Sequence, residues 1–139
     1  MLLEMDMGNS VYFVTDHQTT GAGVPAVICG LYERSARIAI EREEGTKTFD
    51  VPLWDLLPAR AYTAAILRAC YSAWESLDRE GRSPGSLHED DLVRELARAG
   101  LAEKTAEMCA RLCWDMDWSA RNPLSAWLKA VRSFYLPRV

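Results

Sequence analysis

The pattern of hydrophobic residues changes at Pro58, and this change limits the folds open to the chain. Before Pro58, short alternating runs rich in Val, Ile, Tyr and Thr are typical of β-strands. After it, apolar residues recur at helical spacing. The chain has 139 residues, and its 49% hydrophobic content is enough for a shared core. We therefore predict an α+β protein with a β subdomain over residues 1–58 and a helical subdomain over residues 59–139, packed as one unit.

Four β-prone runs predict an antiparallel β meander in the first subdomain. They cover residues 11–15, 24–32, 35–42 and 47–51. In the third run, alternation turns Ile38 and Ile40 toward the core. The order of a long first loop, a tight hairpin and a short last strand resembles a small SH3-like or Tudor-like barrel. This resemblance implies a binding module more than an enzyme.

Helical spacing after Pro58 predicts a bundle of about four helices. The first has Pro58 near its start and ends near Gly81, and its inward stripe predicts five buried side chains. These are Tyr62, Ile66, Cys70, Trp74 and Leu77. Ser86 and Glu89 form the pattern of a capping box for the second helix, which stops at Gly100.

The third and fourth helices complete the predicted bundle. The third covers about residues 102–117, and the fourth has Asn122 as its cap and Pro123 at its first position. The inward residues predicted for the third helix are Thr105, Met108, Cys109, Leu112 and Met116, and those of the fourth are Leu124, Trp127, Leu128, Val131 and Tyr135.

Charge is distributed unevenly between the two subdomains. Residues 1–58 hold four Lys or Arg and nine Asp or Glu, a net charge of −5, whereas residues 59–139 hold twelve and eleven, a net charge of +1. An acidic protein repels nucleic acid at long range, which disfavours nonspecific nucleic-acid binding. No apolar run approaches the roughly 20 residues of a membrane span, and the N-terminal segment lacks the pattern of a secretory signal. These features predict a cytoplasmic protein that does not bind membranes.

The four cysteines have a spacing that is not typical of a metal site or a disulfide framework. Cys109 and Cys113 lie four residues apart on one helix face and could supply two zinc ligands, but Cys29 and Cys70 form no companion pair. We therefore expect all four to be small core residues in a reducing compartment. The sequence predicts neither a metal nor another cofactor.

The two histidines are the only candidates for acid–base chemistry that the sequence offers. His17 lies in a polar loop after Asp16, and His88 lies in the acidic first turn of a predicted helix. Neither has the context of a nucleophile elbow, a phosphate-binding loop or a metal-binding helix. We therefore predict no catalytic residue and no enzyme.

Residues 92–109 resemble the helix-turn-helix of DNA-binding regulators. Gly100 stands at the turn, Leu101 follows it, and Thr105 and Cys109 lie five and nine residues beyond the glycine. This resemblance implies that Lys104, Thr105 and Arg111 contact DNA. Glu103, Glu107 and Asp115 on the same helix make its exposed face net acidic, and two short helices joined at any glycine give a similar pattern.

Aromatic residues are unusually frequent near the C-terminus. Five tryptophans occur in the chain, and Trp114 and Trp118 lie in a stretch that also contains several arginines. Because Trp and Arg anchor protein interfaces, we expect an interaction face here. Its residues are Trp114, Trp118, Arg121, Arg132 and Tyr135. The alternative is that most of the rings are buried, with Trp54 and Trp74 packed between the two subdomains.

Two functions follow from these patterns. The first is a protein–protein interaction module that uses an acidic β subdomain and a Trp/Arg-rich helical face. Such modules include adaptors, assembly factors, and phage- or plasmid-encoded inhibitors of a larger protein or nucleoprotein complex. The second is a helix-turn-helix transcriptional regulator. A homodimer formed through the Trp-rich helices is also compatible with an exposed apolar stripe.

Overall fold

The computed structural model describes residues 6–82, 88–116, 118–119 and 121–136. Its elements confirm the α+β class: an antiparallel sheet is followed by four helices. The strands are β1 (Ser10–Phe13), β2 (Val24–Leu31), β3 (Ser35–Arg42), β4 (Gly45–Pro52) and β5 (Leu56–Pro58), with a 3₁₀ helix at Leu53–Asp55. The helices are α1 (Ala59–Arg79), α2 (Glu89–Arg98), α3 (Glu103–Trp114) and α4 (Pro123–Tyr135).

The chain divides into two compact units whose boundaries differ from a single cut at residue 58. A sheet unit contains residues 1–17 and 22–62, and a helical unit contains residues 18–21 and 63–139. The first turn of α1 therefore belongs to the sheet unit. Residues 18–21 of the β1–β2 loop belong to the helical unit, although they are far in sequence from the rest of that unit.

The sheet unit is built from five strands in the order β4-β3-β2-β1-β5, all paired antiparallel. The meander of β1 to β4 agrees with the prediction, while β5 adds a strand beyond the four predicted. With only three residues, β5 is too short to show an alternating pattern. Its pairing with β1 places β1 inside the sheet and leaves β4 and β5 as the outer strands.

One face of the sheet carries the core of this unit. The alternation predicted for β3 is observed, with Ile38 and Ile40 buried and Arg37 exposed between two buried positions. The buried cluster is Val11, Ala26, Ile28, Ala36, Ile38, Ile40, Val51 and Leu56. Their burial supplies the main stabilising contribution of the sheet, at about 1.5–3 kcal/mol for each large side chain.

Tyr12 and Tyr62 form a second buried contact in the sheet unit. Their rings stack with centroids 3.6 Å apart and planes inclined by 13°. The Tyr62 hydroxyl accepts a hydrogen bond from the Gly23 amide at 3.1 Å. Burial, and then the neighbouring Tyr62, raise the pKa of Tyr12 from its ordinary value of 10.0 to about 12.

The raised pKa of Tyr12 predicts a loss of stability in alkaline solution. The folded protein holds the phenol proton more tightly than the unfolded chain, so unfolding releases a proton. The stabilisation is therefore complete below pH 10 and is lost as the pH rises through about 12. Urea unfolding between pH 9 and 12 should show this decline, and Tyr12→Phe should make it shallower. An equally steep decline in Tyr12→Phe would contradict the assignment to Tyr12.

The helical unit begins within α1, and most of its predicted boundaries agree with the structure. Pro58 is the last residue of β5, and α1 begins directly after it, at Ala59. It ends at Arg79, just before Gly81, whose φ of +72° favours glycine. For α4, Asn122 is the N-cap as predicted, and its side-chain oxygen accepts a hydrogen bond from the Ser125 amide at 3.1 Å.

Two details of the helix predictions require correction. The first turn of α2 starts at Glu89 with His88 as N-cap, so Glu89 does not take the third position of a capping box; Ser86 lies outside the described residues. On α3, Thr105 and Cys109 are buried as predicted, but Met108 and Leu112 are only half-buried. Met116, also half-buried, lies beyond the end of α3 at Trp114. Small residues complete the buried side instead: Ala106, Ala110 and Cys113. Small side chains let neighbouring backbones approach closely. The spacing of large hydrophobic residues does not predict which small residues take these positions.

Candidate functional site

The predicted bihelix exists, but a loop from early in the chain is bound to its turn. Gly100 has a φ of +100° between α2 and α3. Thr20 donates its amide to the Gly100 carbonyl at 2.9 Å and accepts the Ala102 amide at 2.8 Å. Thr20 and Leu101 thus form an isolated parallel bridge. The start of α3, where a DNA-reading helix makes its contacts, is therefore hydrogen-bonded to the protein's own loop.

The three residues predicted to contact DNA have different environments. Thr105 is buried, and its hydroxyl donates a hydrogen bond to the Gly21 carbonyl at 2.6 Å. Its role in the fold is therefore to hold residues 18–21 against α3. Lys104 and Arg111 are exposed.

A groove of about 330 Å³ lies between α2 and α3 and is predominantly acidic. Its lining residues are Glu89, Asp90, Val93, Glu103, Glu107 and Arg111. Four carboxylates thus surround one guanidinium. A phosphate backbone would meet net repulsion on this side of the bihelix.

The five residues of the predicted aromatic face are not equally exposed. Trp114 is 41% exposed, and Arg121 and Arg132 are exposed. Within the described part of the chain, no hydrogen bond, ion pair or ring contact joins Trp114 to either arginine. Phe134, which the prediction did not include, is 50% exposed and meets the Tyr135 ring edge to face at 4.9 Å.

Trp118 and Tyr135 belong to the interior of the helical unit more than to its surface. The Trp118 indole donates to the Cys113 carbonyl at 3.2 Å and stacks on Trp74 with ring centroids 5.9 Å apart. Trp74 in turn meets Trp127 at 5.6 Å. Tyr135 is only 8% exposed. Three of the five tryptophans therefore form one aromatic cluster, which accounts for much of the predicted excess.

Trp54 is the most exposed large hydrophobic residue of the described chain, at 71%. The alternative in which Trp54 is buried is therefore wrong. It lies in the middle of the 3₁₀ helix, which is too short to display a buried and an exposed face in its sequence. Its neighbours in this helix are hydrogen-bonded to other loops: the Leu53 amide donates to the Arg34 carbonyl at 3.1 Å, and the Asp55 carbonyl accepts the Val14 amide at 2.7 Å.

The two histidines lie in different environments. His17 Nε2 lies 3.1 Å from Asp55 Oδ1, and both side chains are on the surface of the sheet unit. Within the described residues, no Ser, Thr or Cys side chain forms a hydrogen bond with His17. His88 is the N-cap of α2, but its side chain makes no capping hydrogen bond. The contact between His17 and Asp55 can fix the 3₁₀ helix to the β1–β2 loop.

The cysteines separate into one exposed and three buried thiols. Cys29 is exposed because it takes the outward position of β2 between the buried Ile28 and Gly30, so the prediction of a core position is wrong for this residue. Cys70, Cys109 and Cys113 are buried in the helical unit as predicted. A hydrogen bond with Cys109, together with burial, raises the pKa of Cys70, and burial raises the pKa of Cys113 to about 12. Among the described residues, no group of three or more His, Cys, Asp or Glu is arranged to hold a metal ion.

Thiol labelling should distinguish these two classes of cysteine. The thiolate is the reactive form, and a buried thiol with a pKa of about 12 is almost entirely protonated at pH 8. We expect an aromatic disulfide reagent to modify Cys29 rapidly in the native protein and the other three thiols only after denaturation. Cys29→Ser should abolish the rapid phase. Rapid modification of a further thiol in the native protein would contradict the burial of this cluster.

Comparisons with protein-family models, curated protein sequences and solved structures return no match. In the part of the chain that the structure describes, no helix has the length and apolar character needed to cross a membrane.

Proposed function

We propose that this protein is a non-enzymatic protein-binding module of the cytoplasm. The observation that carries the proposal is Trp54, a large aromatic side chain that is 71% exposed on a turn whose backbone is hydrogen-bonded on both sides. Exposing an indole to water is unfavourable, and rigid exposed aromatics are the usual anchors of protein interfaces. An adaptor, an assembly factor, or a phage- or plasmid-encoded inhibitor of a larger complex would use such an anchor.

The charge of the sheet unit also supports this proposal. Arg37 and Asp50 face each other across β3 and β4 and form a two-pronged ion pair at 2.9 and 3.3 Å, so they neutralise each other. The remaining exposed acids, including Glu41, Glu43 and Glu44 at the β3–β4 hairpin, leave the unit acidic. Complementary charge speeds the encounter with a basic partner and suppresses wrong partners.

A second anchor is Trp114, and the exposed side chains Arg121, Arg132 and Phe134 of the same unit would extend an aromatic and basic face around it. Trp114 is less exposed than Trp54, and its interface would bury less additional surface. Self-association through this face is the homodimer alternative. It predicts a mass above the monomer in light scattering, and a monomer at every concentration would exclude it.

The test is a tagged pull-down from host lysate, carried out with and without nuclease. Wild type, Trp54→Ala and Trp114→Ala are compared, because both tryptophans are exposed and neither change should disturb the fold. We expect a stoichiometric protein partner that survives nuclease and is lost in at least one of the two variants. A partner retained equally by both variants, or recovery of nucleic acid alone, would overturn the proposal.

A DNA-binding regulator is the alternative, and the bihelix with its turn at Gly100 favours it. The acidic groove and the engagement of Thr105 oppose it. A gel-shift assay with genomic fragments of the host tests this alternative directly. Lys104→Ala with Arg111→Ala should weaken DNA binding by about tenfold or more if these residues contact phosphates. Binding that is absent, or unchanged in the double variant, would exclude the regulator.

A further inference from the structure

We propose that the surface around Trp54 binds a cationic segment of the partner protein, rich in Arg or Lys. This inference rests on the proposed function and names the chemistry of its partner. We define the Trp54 surface by Trp54 and the charged residues of the turns next to it: Asp16, Glu33, Arg34 and Asp55.

Three hydrogen bonds bring these turns together. The Leu53 amide donates to the Arg34 carbonyl, which places the β2–β3 turn beside the 3₁₀ helix. The Asp55 carbonyl accepts the Val14 amide, and the Asp55 carboxylate contacts His17, which places the start of the β1–β2 loop there as well. Trp54 is therefore held on a backbone that is fixed from both sides. Because the backbone is already ordered, a ligand that packs against Trp54 does not have to order it on binding.

The indole of Trp54 is open to a ligand. Among the described residues, no aromatic ring or cationic side chain stacks on it. This contrasts with Phe49 in the same unit, whose ring already has the Arg42 guanidinium 5.6 Å from its centroid. The sheet unit thus leaves its largest aromatic ring without a cation.

The charges around Trp54 select the sign of the ligand. Asp16, Glu33 and Asp55 supply three carboxylates against the guanidinium of Arg34 and the imidazole of His17, which contacts Asp55, within a subdomain of net charge −5. A tryptophan face is the best aromatic partner for an ammonium or guanidinium group, and nearby carboxylates add Coulomb attraction. A purely apolar ligand would gain only the contact with the ring. An anionic ligand would in addition be repelled by the carboxylates.

The experiment uses the full chain and two defined peptides, acetylated hexaarginine amide and acetylated hexaglutamate amide. Each is titrated into ¹⁵N-labelled protein while the indole N–H resonances of the tryptophans are followed. The Trp54 resonance is assigned by its absence from the Trp54→Phe spectrum. This site-specific signal separates the Trp54 surface from the acidic α2–α3 groove, which also attracts arginine.

We expect hexaarginine to shift the Trp54 resonance in a saturable manner with a dissociation constant below about 1 mM, and hexaglutamate to leave it unchanged. Trp54→Ala lacks the indole signal, so hexaarginine binding to this variant is followed by the backbone amide resonance of residue 53 or 55. We expect its affinity to be at least about fivefold weaker. Glu33→Gln should weaken it about twofold, and Trp114→Ala should match wild type. Circular dichroism checks that each variant is folded.

Several results would overturn the inference. These are the absence of a saturable shift at Trp54, equal shifts with both peptides, unchanged affinity in Trp54→Ala, or self-association that Trp54→Ala abolishes. The pull-down separates this failure from that of the proposed function. If Trp54→Ala loses a protein partner but hexaarginine leaves Trp54 unshifted, the module stands and the cationic ligand is wrong. If hexaarginine binds at Trp54 but no protein partner is retained, the cationic site stands and the proposed function fails.

Discussion

Replacing Gly21 by alanine should destabilise the helical unit by about 2–4 kcal/mol, combining a left-handed backbone with overpacking. Gly21 has a φ of +82°, and a Cβ atom at this position would lie 2.8 Å from Cγ2 of Thr105. The loop cannot move away freely, because Gly21 accepts the Thr105 hydroxyl and Thr20 is hydrogen-bonded to Gly100 and Ala102. Urea unfolding followed by far-UV circular dichroism measures the loss.

Gly81→Ala is the matched control for Gly21→Ala. Gly81 lies in the same unit with a φ of +72°, but a Cβ atom there would meet nothing within 4 Å. The free energy of unfolding of Gly81→Ala should therefore fall by only roughly 1–2 kcal/mol, the cost of holding alanine in a left-handed backbone conformation. Thr105→Ser removes the clashing methyl group, keeps the hydroxyl donor, and should restore part of the stability of Gly21→Ala. Equal losses in Gly21→Ala and Gly81→Ala would show that Thr105 does not confine the loop.

The attachment of residues 18–21 to α3 also shows what sequence patterns can and cannot predict. The bounds of β3 and the cap of α4 were predictable because alternation around Ile38 and the Asn122–Pro123 pair act locally. The contact between Thr20 and Leu101 joins residues some 80 positions apart and involves a polar loop without periodicity. The same limit applies to β5, whose three residues form a strand only because β1 pairs with them.

The candidate interaction residues were predicted less completely than the fold. The helix-turn-helix resemblance suggested that Thr105 contacts DNA, and residue type suggested that Tyr135 lies on an interaction face, whereas both are buried. Helical periodicity places both residues on the inward stripes and therefore predicts their burial. Trp54 had no such signal, because exposure in a three-residue 3₁₀ helix depends on which loops lie beside it.

The second prediction with a large effect concerns Trp127, which is fully buried and packs against Trp74 in the aromatic cluster. Trp127→Ala should cost about 3–5 kcal/mol, because it leaves a cavity the size of an indole beside Trp74. Small domains have a total stability of roughly 5–15 kcal/mol, so this variant should lie close to unfolding. We expect its urea midpoint to fall by about 2 M relative to wild type.

Trp127→Phe separates the packing of Trp127 from its hydrogen bond. The indole donates to the Cys109 carbonyl at 2.9 Å, but that carbonyl lies inside α3 and also accepts the helical amide of residue 113. Removing the indole N–H therefore leaves no buried acceptor without a partner, and Trp127→Phe should cost clearly less than Trp127→Ala. Trp114→Ala, at a partly exposed position, should stay within about 1 kcal/mol of wild type. If Trp127→Phe and Trp127→Ala were equally destabilised, the hydrogen bond to Cys109 rather than the filled volume would hold α4 against α3.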